Sequence, residues 1–219
     1  MRAGALKYVW LTYRRETLWF PGAFLACFVV ITWMMRRPDI RFSIARAYLG
    51  FFVPLIAGIM AAYAVLDDPA LELTFATPTG GPRLLATRLG LILSVQALCA
   101  ALFQLVAAGM AVELAPLGGA ISVQLAWLVP TLALMSVATC GALASAQCVT
   151  GAFLAGAVWL LQLLMKGWVL TNGPHLYLFM GVLEPRRPEL LPSQVALTAV
   201  SLALLAGSWA LLRRQERYL

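Results

Sequence analysis

The sequence predicts an all-α, polytopic membrane protein with six transmembrane helices and an N-terminal interfacial helix. Composition is the first reason: 62% of the 219 residues are apolar and only 11% charged, with a mean hydropathy of +0.87. A soluble domain carries about 25% charged residues to cover its water-facing surface. The second is run length. Several apolar stretches are long enough to cross about 30 Å of hydrocarbon, and none shows the period-two alternation of a membrane β-barrel strand. The third is physical: hydrocarbon offers the backbone no hydrogen-bond partner, so a spanning segment satisfies its own N–H and C=O groups as a helix.

Residues 1–17 mix Lys7, Arg14 and Arg15 with Leu6, Tyr8, Val9, Trp10, Leu11 and Tyr13. This pattern suits a helix lying in the headgroup plane, and a short solvated tail is the alternative. The stretch lacks a small-residue cleavage site after its first long apolar run, so the first span is expected to be retained. That span covers about residues 19–35 and is closed by Arg36, Arg37, Asp39 and Arg41. The second covers about 44–66. Pro54 stands near its middle, where the missing N–H predicts a kink. Residues 67–83 form a polar connection, and the third span follows at about 89–112, ending before a Pro116-Leu117-Gly118-Gly119 turn.

The fourth span, about 123–146, is almost entirely small from Ala138 to Ala146. Small residues let helices approach closely where lipid supplies no drive between them. The fifth, about 149–170, follows so directly that the two must form a tight hairpin. Residues 172–193 are rich in Pro, Gly, Glu and Arg around a short apolar piece, 175–183, too short to span but able to dip into the membrane. The sixth span, about 195–212, is closed by Arg213, Arg214 and Arg217. The whole chain reads as one membrane domain. Arg and Lys on the face of both termini slightly outnumber those on the other face, which places both termini in the cytoplasm.

Several chemistries are excluded. A formal charge of +7 is explained by Arg and Lys beside apolar runs, where they meet phosphate headgroups, so nucleic acid is not an expected partner. Cys27, Cys99, Cys140 and Cys148 form no CxxC pair and read as small buried hydrophobes; with His175 the only histidine, no metal site is expected. There is no P-loop, HExxH or GxSxG motif, and the spans hold almost no carboxylate for proton-driven transport. An enzyme is not expected. Transport without an energy source of its own remains.

The most informative stretch is "DDPALELTFATP", residues 67–78. Asp68 before Pro69, with Glu72 in the first turn, is a helix start. The short helix would carry Leu71 and Phe75 on one face, four residues apart, with Asp67, Asp68 and Glu72 beside them. Such a helix can sit in a partner's groove; an ordinary interfacial loop helix is the alternative. With this stretch, Arg83 and Arg88 leading into span three, and the segment at 172–193, the chain resembles the permease subunits of ABC-2 type transporters. The haem-exporter B subunit is a narrower possibility of the same layout. The near-even charge of the two faces departs from the family pattern.

The resemblance implies that residues 67–83 are a cytoplasmic coupling segment contacting a separate ABC ATPase through Asp67, Asp68, Leu71, Glu72 and Phe75. It implies that 172–193 is an extracellular re-entrant segment. The chain would hold no cofactor, ATP and Mg belonging to the ATPase. A second permease chain, identical or related, would complete the export pathway in the bacterial cytoplasmic (inner) membrane. Spans two and five would face the dimer axis, offering Phe51, Phe52, Met60 and Tyr63, and Gln162 with Lys166 at i, i+4 on one helix face. Packing for the aromatics and snorkelling for Lys166 are the alternatives. A non-transporting assembly subunit of a larger membrane complex is the competing class.

Overall fold

The computed structural model of the chain describes residues 15–64, 66 and 81–212. All secondary structure among the described residues is helical. Four helices are long and apolar enough to cross a membrane, and a fifth if one sharply bent pair counts as a single span. The calls that fall on residues 1–14, including most of the interfacial helix, and on 67–80 lie outside the described residues.

Helix α1 (Arg15–Met34) contains the shorter apolar stretch Trp19–Met34, close to the span expected at 19–35. The second span is one helical stretch of 25 residues, Pro38–Ala62, rather than 44–66. It consists of α2 (Pro38–Ala47), a π-helical turn (Tyr48–Phe52) and α3 (Val53–Ala62). Arg37 is extended, Pro38 stands at the first helical position and Asp39 lies in the first turn, a start signal that the charged cluster had concealed. The expected distortion at Pro54 is present, and it takes the form of the π turn just before the proline. Pro54 has no N–H to offer the Gly50 carbonyl, so the hydrogen-bond ladder shifts register there.

The third span begins earlier than residue 89, as α4 (Gly81–Gly109), with Arg83 and Arg88 inside the helix. It ends in a left-handed Ala111 (φ 55), where the Val112 N–H reaches back to the Ala107 carbonyl. Helix α5 (Ala120–Ser145) matches the fourth span. Ala146 and Gln147 alone join it to α6 (Cys148–Leu164), so the tight hairpin is present. The expected fifth span at 149–170 is broken. At Met165 (φ −96, ψ 23) the chain turns by 84° into α7 (Lys166–Asn172). No proline stands at the break; Gly167 and the ion pair of Lys166 are what the sequence offers there. A short 3₁₀ turn (Pro174–Leu176) and α8 (Met180–Leu183) follow, and α9 (Leu190–Leu212) forms the last long helix.

Helix α5 is the hub, packing against α3, α6, α8 and α9. Close approach depends on glycine. A Cβ on Gly151 would collide with backbone atoms of Ala138 and Ala142, and one on Gly58 would press on Leu134 and Ala155 at 3.1–3.3 Å. An aromatic stack joins the first three spans: Phe28 lies 4.8 Å from Phe52 and 5.1 Å from Tyr48, and Tyr48 lies 4.5 Å from Phe103.

The helix ends gather at two opposite faces. At one, Leu85, Leu143 and Leu212 pack together, and the Arg88 guanidinium donates to the Ala64 carbonyl at 2.6 Å. At the other, Arg41 donates to the carbonyls of Met35 and Met110 and so ties the exits of α1 and α4 to α2. The helices therefore alternate in direction. Large apolar side chains point outward between the two faces, including Leu105, Phe153, Val195 and Leu202, all mostly exposed. Such a belt has lipid as its natural solvent.

Candidate functional site

The connection between α6 and α9 is the most elaborate polar structure among the described residues. Tyr177, Leu178, Phe179, Met180 and Val182 are all buried, although none belongs to a long helix. They pack on Val129, Ala133 and Leu134 of α5 and on Leu197 of α9. Phe179 meets Phe51 edge-on at 4.9 Å. Val182 fills the space in front of Gly50, where an added Cβ would lie 2.5 Å from its methyl. Gly181 lies against Ala126, whose carbonyl is four residues before Pro130 and so lacks a helical N–H partner. The segment thus lies packed between the helices.

Its backbone polarity is met from the helices around it. The Gln162 side-chain amide holds the segment at two points, donating to the Leu176 carbonyl and accepting from the Leu178 N–H, each at 3.2 Å. Ser193 of α9 donates to the Tyr177 carbonyl at 3.3 Å. Each such bond stabilises by about 1 kcal/mol net, and more is lost if a buried partner is orphaned. Trp159 of α6 donates to the Phe51 carbonyl at 3.0 Å, locking α6 to the π turn behind the segment. The Tyr177 hydroxyl and one oxygen of Glu189 are buried with no hydrogen-bond partner among the described residues. A cavity of about 10 Å³ lies between Val129, Tyr177, Gly181, Ser193 and Gln194, room for one water.

Where the chain leaves α6, Lys166 pairs with Glu184 at 2.8 Å, and Arg187 lies 3.8 Å from the other carboxylate oxygen. The hydrogen bond from Lys166 holds the Glu184 carboxyl below the usual carboxylate range, against a smaller opposing effect of burial.

The break at Met165 corrects one expectation. Gln162 and Lys166 do not share a helix face, because they lie on two helices at 84°. Both instead fasten the re-entrant segment. The Lys166 ammonium pairs with Glu184 at 2.8 Å. Of the other pathway candidates, Phe51 touches the segment. Phe52 belongs to the aromatic stack, Met60 is buried and accepts a weak bond from Gln96 at 3.6 Å, and Tyr63 caps α3 half-buried. None of the six lines the small cavity beside Tyr177. Asp67, Asp68, Leu71, Glu72 and Phe75 lie outside the described residues. Sequence reading missed Trp159 and Ser193, whose role appears only once the segment lies beside them. It also missed Arg41 and Arg88 as staples; an arginine just inside a span's end was the available signal.

Most buried hydroxyls of the spans are spent locally, whereas that of Thr139 in α5 is buried with no hydrogen-bond partner among the described residues. Thr131, Ser201 and Ser208 each donate to the carbonyl four residues back, and Ser136 to the one three back. Among the described residues no three His, Cys, Asp or Glu side chains converge on one point. Comparison of the chain with family models, with curated proteins and with solved structures returned no match.

Proposed function

We propose that this chain is the membrane-spanning permease subunit of an ATP-binding cassette transporter, crossing the bilayer six times and working with a separate ATPase. The observation that carries the reading is the 174–183 segment, seated between α5, α6, α9 and the π turn at the face opposite the Arg88–Ala64 contact. A motor bound at one face and a plug at the other is what alternating access needs. Arg88 of α4 holds the Ala64 carbonyl at the end of α3, so a push on that end bears directly on α4. Thr139 apart, the buried hydroxyls of Thr131, Ser136, Ser201 and Ser208 are spent on their own helices, so little polar lining is left inside one chain, which favours a pathway between two chains. They equally favour the second reading, an assembly subunit with no pathway.

In this reading both termini and residues 67–83 are cytoplasmic, the membrane is a bacterial inner membrane, and the cargo is exported; ATP and Mg belong to the ATPase. Differences in ATPase affinity between nucleotide states, not chemistry in this chain, drive the cycle. Mild-detergent purification of the tagged chain from its host is expected to bring down a P-loop ATPase in fixed proportion. Leu71→Asp with Phe75→Asp is expected to remove that ATPase while leaving the chain in the membrane. Retention of the ATPase by the double variant would overturn the contact assignment. Recovery of other membrane subunits and no ATPase would favour the assembly reading.

A further inference from the structure

The 84° turn at Met165 sets α7 nearly perpendicular to α6, so a helix that leaves the bilayer along α6 is followed by one lying in its plane. The two faces of α7 differ. Val169 and Leu170 pack against the re-entrant segment, and Lys166 is held by Glu184. Opposite them Trp168 is 63% exposed, flanked by Thr171 and Asn172, whose side chains are satisfied by the Gly167 and Trp168 carbonyls. The outward apolar surface is continuous with that of α6: Phe153, Leu160, Leu161 and Leu164 lead into Met165 and Trp168. A Cβ at Gly156, Gly167 or Gly173 would meet no atom within 4 Å, so the whole flank is open.

We infer that residues 164–176 form an interfacial foot whose partner is the lipid headgroup–acyl boundary, in the leaflet opposite the 67–80 connection. A tryptophan ring with an apolar body and one N–H donor is suited to that depth. Thr171 and Asn172 stand beside Trp168 among the exposed apolar side chains of Leu164, Met165 and Leu176, a mixture that suits the headgroup boundary, whereas the buried centre of a protein interface is more uniformly apolar. Because α7 carries the re-entrant segment through Val169, Leu170 and the Lys166–Glu184 pair, the foot ties that segment to the bilayer surface. The inference stands independently of any transport role.

The full chain in vesicles of phosphatidylcholine and phosphatidylglycerol tests it, with lipids brominated either near the ester end or near the chain end. Trp168→Phe is expected to remove fluorescence that shallow bromines quench and deep ones spare. Loss of a component quenched best by deep bromines, or by neither lipid, would overturn the assignment, the latter pointing to a protein-covered or water-facing helix. A spin label at position 168, in a chain freed of its four cysteines, gives a second reading. Its oxygen and nickel-chelate accessibilities should place it shallower than a label at Phe153. Equal depth, or full exposure to the nickel chelate, would overturn it.

Discussion

A Cβ at Gly151 has nowhere to go, since it would meet the Ala138 carbonyl and the Ala142 amide, both backbone and unable to swing aside. Gly151→Ala is therefore expected to destabilise the α5–α6 hairpin by about 1–3 kcal/mol, lowering the thermal midpoint of the detergent-solubilised chain. Gly156, on the same helix, faces open space, and Gly156→Ala should leave the midpoint unchanged or slightly raised. Equal effects of the two would refute the backbone contact. The Glu184 carboxylate supplies a second test at this scale. Its folded pKa is depressed by Lys166 and then Arg187, so its stabilising contribution is present above the usual carboxylate value of about 4.3 and fades as pH falls through the folded value. The midpoint of the native chain should thus drop more steeply on acidification than that of Lys166→Gln. Parallel pH profiles would show that the pair does not hold the segment.

Two helices end on alanines where glycine is the usual choice. Ala111 and Ala146 both sit at φ 55, in the left-handed region where an L side chain crowds the following carbonyl. Ala111→Gly and Ala146→Gly are each expected to stabilise by up to about 1 kcal/mol, because relief of that crowding outweighs glycine's greater freedom in the unfolded chain. Urea or SDS titration of the solubilised chain would measure it, and destabilisation by either would contradict the cap geometry. The elements themselves were largely legible in the sequence, because an apolar run long enough to span has one backbone solution. Their ends were less so. The start of α2 at Pro38 lay hidden among arginines that also close α1, and α4 begins before Arg83 because a helix continues past the hydrocarbon wherever its backbone stays paired. The break at Met165 left no mark in composition. Lys166, just beyond it, pairs with Glu184, eighteen positions further on, and pairing over such a distance leaves no periodic trace. For the same reason the apolar piece at 175–183 was readable from its length, while Gln162, Trp159 and Ser193 as its fastenings were not.

At the scale of the whole molecule, the clustering of helix ends fixes which connections share a face. Arg83 and the Ala146–Gln147 connection belong with Leu85, Leu143 and Leu212; Arg36 and Arg186 belong with Arg41 and α7. Single cysteines placed at 83 and 147 in a cysteine-free chain should therefore react with an impermeant maleimide from one side of sealed vesicles, and cysteines at 36 and 186 from the other. Labelling of positions 147 and 186 from the same side would overturn the alternation of the helices. The central place of α5 bears also on how the chain is made. As synthesis proceeds, α1 to α4 enter the bilayer before α5 exists, so Gly58 and the buried face of α3 spend that interval against lipid or against provisional neighbours. The first half of the molecule thus waits on the second for its shape, and a nascent chain arrested before Ala120 would hold correctly inserted helices that have not yet become a fold.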